Sequence, residues 1–421
     1  MNLKHLSLLA PITSIMLLVL GSGFYTTFTS IQLQKYDIAN WLVGCVSSAY
    51  FSGLVISAFR SQHFIFRVGH IRAFAAFAAL IAVTTLIQGL IFSPTLWIVI
   101  RFISGYCLAG LCIVIESWLL AGSQSDNRGT ILAIYMVAYY LAQAFGQLLM
   151  KIPYAYDLMA YCIIAICSAL SVLPVAMTHF RAPSPEDPSI LSFKYLFKKA
   201  PLGVMGSVLA GMMLGPLYTL IPVYLQQNAK PENEVAWVMM AMILGGTLLQ
   251  YPIGRMSDTV DRRKVMLGMS VVCIIAFTLF IPDIYSTPWL MILGIFMGAG
   301  AFIIYPLSTS YTIDQVAPNE MVSAISTLLL SYGVGSTLGP LLPSILMDWL
   351  GPNGLCYYLL GISVILSIWI FYCIMVGPKY KEEDSTHFVS FPRTTPNALP
   401  SEEQIETEND LGEAAEVKST T

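Results

Sequence analysis

The chain has 421 residues, 56% of them hydrophobic and only 11% charged, with a formal net charge of −3. A chain of that length built for water would form two or three domains and carry about a quarter charged residues. This composition excludes that architecture and makes lipid the solvent to reason with.

A hydrocarbon layer about 30 Å thick needs roughly 20 apolar residues per helical crossing. Twelve such runs occur, over 8–31, 40–60, 71–91, 95–120, 129–151, 158–178, 201–225, 235–255, 264–282, 288–313, 321–348 and 353–376. The first follows Lys4 as a secretory leader would, but it continues through Gly21, Gly23 and Tyr25 toward Gln34 without a small-residue cleavage site, so a membrane span is expected. Cys45, Cys107, Cys112, Cys162, Cys167, Cys273, Cys356 and Cys373 all fall within these runs and form no CxxC pair. They are expected as small core residues.

Orientation follows from the basic residues of the loops. With both termini cytoplasmic, the inner segments hold Lys4, Arg60, Arg67, Arg72, Arg128, Arg181, Lys194, Lys198, Lys199, Arg255, Arg262, Arg263, Lys264, Lys379 and Lys381, against Lys35, Lys151 and Lys230 outside. All five histidines are expected in cytoplasmic loops or tails. The long break from His179 to Ala200 reads as a connection between two six-helix halves. Its stretch from Ile190 to Lys199 could lie on the inner leaflet, Phe193 and Leu196 toward lipid and three lysines toward headgroups, or be a plain solvated linker. From Lys379 onward the chain is polar, with seven acidic residues between Glu402 and Glu416, the mark of a disordered tail.

The halves repeat. A constant shift of 192 places Gly23 on Gly215, Thr27 on Thr219, Leu33 on Leu225, Gln34 on Gln226, Gly53 on Gly245 and Arg72 on Lys264. A register kept across two spans and their loop implies duplicated bundles able to rock about a central site. The expected fold is thus all-α and integral to the membrane, with twelve transmembrane helices in two pseudo-symmetric six-helix bundles. Residues 1–178 form the N-terminal bundle, 179–200 a cytoplasmic linker, 201–378 the C-terminal bundle and 379–421 the acidic cytoplasmic tail.

After the eighth run the chain reads Gly254, Arg255, Met256, Ser257, Asp258, then Asp261, Arg262, Arg263 and Lys264. This resembles the G-x-x-x-D-x-x-[GD]-R-[RK] signature of major facilitator transporters. The resemblance implies the major facilitator fold and a conformational latch at Gly254, Asp258, Arg262 and Arg263. The corresponding loop of the first half keeps only Arg67, Gly69 and Arg72, so the latch is expected to be stronger in the second half. Arg101 with Gly105 and Gly110 resembles a motif of proton-linked facilitators. The segments Ile115–Leu119, Asn127–Gly129, Tyr251–Arg255 and Tyr305–Ser308 resemble the YcaD-type permeases. Gly335, Gly339 and Pro340 resemble an antiporter element that normally occupies the fifth span; helix packing is the alternative reading.

Arg101 and Glu116 are the ionisable side chains well inside a predicted span, where insertion scales charge about 2.5–3.5 kcal/mol for each. Arg101 is expected to face a central cavity, holding an anionic or strongly polar solute or balancing a coupling proton; the alternative is an arginine that braces neighbouring helices through hydrogen bonds to their carbonyl groups. Glu116 is expected either to take up that proton or to close an inner gate with Arg67, Arg72 or Arg128. Tyr25, Tyr50, Tyr139, Gln143, Tyr218, Gln250, Tyr305 and Tyr332 are the neutral candidates for contact with solute, and Tyr135, Tyr139, Gln143 and Gln147 recur every four residues as a polar stripe on the fifth helix. The function these features favour is secondary active transport of a small solute by alternating access, with a proton as the candidate coupling ion. A proton-independent uniporter and a non-transporting membrane sensor or scaffold are the alternatives. No enzymatic motif, metal site, cofactor or nucleic-acid partner is expected. The expected protein is a monomer in a bacterial cytoplasmic (inner) membrane, with solute and bilayer as its partners.

Overall fold

The computed structural model describes residues 3–121, 128–177, 191–281 and 286–376, and it is helical throughout. In chain order the helices are α1 (Leu3–Lys35), α2 (Asn40–Val68), α3 (His70–Leu90), α4 (Pro94–Ala121), α5 (Arg128–Gly146), α6 (Asp157–Leu170), α7 (Val172–Ala176), α8 (Phe193–Lys199), α9 (Pro201–Thr219), α10 (Ile221–Gln227), α11 (Glu232–Thr259), α12 (Arg262–Phe280), α13 (Thr287–Ile313), α14 (Met321–Leu338), α15 (Leu341–Leu350) and α16 (Gly354–Val376). Among the described residues, twelve helical stretches are long and apolar enough to cross a membrane. The expected acidic tail lies outside the described residues.

Several crossings are broken rather than continuous. The fifth ends in a 3-10 turn over Gln147–Lys151, the sixth is divided at Ser171, the seventh at Leu220, and the eleventh between Leu338 and Leu341. Proline explains two of these, because it removes an N–H donor and crowds the preceding turn. Pro340 and Pro222 sit at the breaks of the eleventh and seventh crossings, and Pro216 lies inside α9. In lipid a freed carbonyl must find another donor; the Met212 carbonyl, which Pro216 cannot reach, accepts from Tyr358 Oη at 3.4 Å.

The boundary expected after residue 60 is wrong. α2 runs on to Val68, and only Gly69 separates it from α3. Gly69 has φ +93°, a backbone that side-chain-bearing residues rarely adopt, so glycine makes the one-residue turn possible. Two histidines expected in loops are consequently helical: His63 is an exposed residue of α2, and His70 opens α3, buried and stacked 6.3 Å from the Trp118 ring.

The first half packs α1 on α5 and α6, α2 on α4, and α3 on α4 and α6; the second packs α9 on α13 and α14, α11 on α13, and α12 on α13 and α16. The halves meet where α2 packs on α14 and α15, and where α5 and the 3-10 turn pack on α11. We call the face where α1 begins and α16 ends the terminal face, and the opposite one the distal face.

Helix α8 lies at the terminal face, and one expectation for it is overturned. Leu196 is fully buried against the protein, not turned to lipid, while Phe193 is exposed. The amphipathic face is spent on docking to the second half. Lys199 Nζ donates to Glu320 Oε2 at 2.7 Å, and Tyr195 Oη to Glu320 Oε1 at 2.7 Å. Together with the Ala317 backbone N–H, these donors pull the Glu320 carboxyl down from 4.5 to about 2, while Glu320 and Tyr195 raise the Lys199 ammonium. A depressed carboxyl stabilises the docked state above its ordinary value, and that contribution disappears as pH falls through the folded one. The docking of α8 should therefore weaken between pH 4.5 and about 2, read from amide exchange across 193–199. Glu320→Gln should loosen α8 at neutral pH and abolish that acid dependence; unchanged exchange would refute the clamp.

Candidate functional site

Between the halves, at mid-depth, lies a cavity enclosing about 960 Å3 of empty space, its open mouth included. α1 contributes Gly23, Thr26 and Thr27, α2 contributes Tyr50 and its neighbours to Phe59, α5 contributes Tyr135, Met136, Tyr139, Tyr140 and Gln143, α9 contributes Tyr218, and α14 contributes Leu329, Tyr332, Gly333 and Ser336. Six of the lining residues are tyrosines and none is charged. Tyr135, Phe59 and Leu329 lie within about 15 Å of helix rise from the terminal ends of their helices, so the cavity extends toward that face.

Aromatic contacts give the lining its shape. Phe302 of α13 sits 5.8 Å from the Tyr140 ring and 5.6 Å from the Tyr218 ring, joining the two halves beneath the cavity wall. Tyr135 and Tyr139 are 6.2 Å apart, Tyr139 and Tyr140 5.3 Å. Such pairs contribute about 0.5–1.5 kcal/mol each beyond area burial, which favours a pre-shaped cavity.

Of the residues singled out from the sequence, Tyr50, Tyr139, Gln143, Tyr218 and Tyr332 line the cavity. Tyr25, Gln250 and Tyr305 do not. Tyr25 is buried behind the wall, its hydroxyl donating to Gln88 Oε1, whose Nε2 donates to Thr29 Oγ1 at 3.2 Å. Tyr305 is fully buried with its ring tilted 47° against that of Tyr332, 4.9 Å between centroids, and Gln250 is buried in α11. Gln147 leaves the polar stripe and braces α1, donating to the Gly23 carbonyl at 3.0 Å.

Arg101 is 1% exposed and stands one layer behind the lining, a departure from the cavity-facing position expected. Its Nη2 donates to Thr26 Oγ1 at 3.1 Å, and its Cζ lies 4.6 Å from the Tyr25 ring and 4.3 Å from the Tyr50 ring. Glu116 is fully buried and accepts from Tyr135 Oη at 2.9 Å, so α5 carries its contact toward the cavity. Arg67 and Arg72 are exposed on either side of Gly69, and the side chain of Arg128 lies outside the described residues.

Different polar clusters mark the two faces. At the terminal face, Arg262 Nε lies 2.8 Å from Asp314 Oδ2, and Arg262 Nη2 lies 3.7 Å from Asp258 Oδ1. These pairs tie α11, α12 and the end of α13 together. Asp261 caps α12 through the Arg263 N–H at 3.0 Å and pairs with the Arg263 guanidinium at 2.8 Å. Gly254 is buried in α11. Gly335 and Gly339 of the eleventh crossing lie against α9: a Cβ on Gly335 would come 2.0 Å from the Val208 carbonyl, and one on Gly339 3.0 Å from the Met212 Cα. Pro340 adds its ring 3.1 Å from the Cβ position of Gly215.

At the distal face the contacts cross between halves. Asp348, near the end of α15, accepts from the backbone N–H of Asn40 at 2.9 Å, from that of Trp41 at 3.0 Å and from Asn40 Nδ2 at 2.9 Å. A carboxylate of one half thereby caps the first helix turn of the other, where free N–H groups and the helix dipole favour negative charge. Gln227 Nε2 bridges Gln34 Oε1 and Asn40 Oδ1, each at 2.9 Å, and Lys151 Nζ sits 4.3 Å over the Trp237 ring. Sequence reasoning missed Asp348, Gln227 and Asp314. Asp348 ends a predicted span, and only its acidic side chain at a helix end hinted at a capping role.

A profile of the Major Facilitator Superfamily matches residues 205–401. The uncharacterized MFS-type transporter YcaD of Escherichia coli O45:K1 is 31% identical over 360 residues, covering 84% of this chain and 92% of the relative. An uncharacterized MFS-type transporter of Yersinia enterocolitica is 30% identical over 355 residues, covering 83% of this chain and 91% of its own. Among solved structures, the nucleoside transporter NupG superposes with a TM-score of 0.72 at 18% identity, covering 90% of this chain and 100% of its own. A bacterial homologue of the human lysosomal transporter Spinster, in an inward-facing unoccupied conformation, does so with a TM-score of 0.70 at 13% identity, covering 92% and 99%. The two structures share the fold, and the sequence relatives carry the family: the chain is a multi-pass membrane protein that belongs to the major facilitator superfamily of transporters, alongside the YcaD-type members.

Proposed function

We propose that the chain carries a small solute across a bacterial inner membrane by alternating access, with the terminal face cytoplasmic and the tyrosine-lined cavity as the transport site. The observation that carries this reading is the placement of the cavity between the halves, walled by both and closed at the distal face by side-chain contacts that join one half to the other. Those contacts can separate without unfolding either bundle, which is what rocking halves require. The excess of basic residues at the terminal face supports a cytoplasmic location for it; on that reading the state described is closed toward the periplasm. In this reading Asp258, Arg262 and Asp314 keep the second bundle rigid while it rocks.

The test uses the full chain in vesicles, screened with labelled sugars, amino acids, nucleosides and organic anions. At least one class should cross. Flux should stop when Asn40→Cys and Asp348→Cys are oxidised to a disulfide and return on reduction. Undiminished flux through the locked protein would sink alternating access, and silence for every class would favour a sensor or scaffold. A pH dye inside the same vesicles separates proton-coupled transport, for which Glu116 beside Tyr135 is the candidate carboxyl, from uniport.

A further inference from the structure

Arg101 poses a problem of charge. Its Nη2 has Thr26 as acceptor, but its Nε and Nη1 have no hydrogen-bond partner, and no carboxylate pairs with it among the described residues. Two tyrosine faces lie against the guanidinium, and ring quadrupoles offset part of the lost hydration. They do not satisfy N–H donors. A buried cation with donors left over is poised for an anion.

The surroundings say where that anion would come from. Of the three groups touching the guanidinium, Tyr50 and Thr26 are also cavity-lining residues, while Tyr25 lies behind the wall. Since no lining side chain is charged, Arg101 behind this wall is the full charge an occupant of that end would sense, through a medium that screens poorly. Glu116 lies fifteen residues further along α4, about 22 Å of helix rise away, and its carboxyl accepts from the hydroxyl of the lining residue Tyr135. Six tyrosines and two phenylalanines dominate the lining, with Leu54, Val55, Met136 and Leu329 adding apolar surface, which suits the faces of a flat apolar ring.

We infer that the cavity binds a small aromatic organic anion, its carboxylate paired with Arg101 after the Tyr50 ring swings aside and its ring held among Tyr139, Tyr218 and Tyr332. This rests on the reading of the cavity as the transport site and names the class of its substrate.

Three probes of one shape test it on the full chain in lipid nanodiscs by calorimetry: benzoate, the neutral benzamide and the cationic benzamidinium. Benzoate should bind at least about ten-fold more tightly than benzamide, and benzamidinium more weakly than either. In Arg101→Gln that preference should vanish while benzamide affinity is kept, which shows the cavity intact; Arg101→Lys should retain part of it. Equal or tighter binding of benzamidinium, a benzoate preference that survives Arg101→Gln, or no binding by any probe would overturn the assignment. The wild-type series does not depend on any variant folding. The disulfide-locking assay keeps the two readings apart. Flux that stops on locking, beside a preference for the cation, leaves transport standing and removes the anion. Benzoate binding beside flux indifferent to the lock does the reverse.

Discussion

Replacing Gly298 by valine should strongly destabilise the folded protein, and Gly105→Val should do the same from the other half. A Cβ on Gly298 would sit 1.9 Å from the Met242 carbonyl oxygen, and one on Gly105 2.0 Å from that of Tyr50. Both obstacles are backbone, so a helix must move rather than a side chain. Overpacking of this kind costs about 1–3 kcal/mol for side-chain clashes, and more is expected where the neighbour is a carbonyl. The approach is reciprocal: Gly53 meets the Phe102 carbonyl at 2.1 Å, and Gly245 meets that of Ile295 at 2.4 Å. In each half, then, two glycines press two helices together, α2 on α4 and α11 on α13. Gly268→Val and Gly361→Val are the controls, since nothing lies within 4 Å of a Cβ at either. Thermal unfolding in detergent should show a drop of about 10 °C or more, or no monodisperse protein, for the first two variants, and little change for the controls. Wild-type melting of Gly298→Val would mean that the helices are not in fact so close.

The same glycines show how far the repeat could be read from the chain. The shift of 192 that carries Gly53 onto Gly245 also carries Tyr50 onto Met242, but Phe102 and Gly105 reach Ile295 and Gly298 only with a shift of 193. One inserted residue between these helices hides the match from a fixed offset. Packing recovers it, because the glycine must face the partner's carbonyl in both halves. Hydropathy likewise revealed the twelve crossings but not their breaks, which depend on where a freed carbonyl finds another donor, as Met212 finds Tyr358.

The cavity was half legible for a related reason. Depth along a helix follows from counting residues, whereas the direction a side chain faces depends on how its helix is rotated against its neighbours. Tyr139 and Gln143 share a stripe and both line the cavity, yet Gln147, one turn further, turns to the α1 backbone where α5 gives way to the 3-10 segment. Arg101 has the depth expected of it but lies behind Tyr50 and Thr26. Partners distant in sequence were invisible for a simpler reason. Asp314 and Arg262 form a pair that no local motif joins, and neither does one join Asp348 to Asn40.

Asp348→Ala should open the distal face. The carboxylate accepts three hydrogen bonds from Asn40 and Trp41, two of them from backbone N–H groups at the start of α2. A helix cap contributes about 0.5–2 kcal/mol, and charged hydrogen bonds about 1.5–3 kcal/mol each. Because donor and acceptor lie on opposite halves, this stabilisation belongs to the closed state alone. When the halves part, water solvates both the carboxylate and the helix end, which offsets much of the gross value. A net bias of about 2 kcal/mol remains, equivalent to a shift of about thirty-fold in the ratio of closed to open. Spin labels at Tyr156→Cys and Trp289→Cys, exposed sites at distal helix ends in the two halves, should report the change as a longer distance distribution. The native cysteines, all buried or partly buried, compete little for the label. Gln227→Ala should act in the same direction but more weakly, since its bonds to Gln34 and Asn40 join neutral amides. Lys35→Ala provides the contrast. Its hydrogen-bonded partner Asp157 belongs to the same half, both side chains are solvent-exposed, and only a screened attraction to Glu232 of α11 reaches the other half, so its loss should leave the distance nearly unchanged. If Asp348→Ala also leaves it unchanged, the distal face is held shut by packing along α2, α14 and α15, and the carboxylate is only a helix cap.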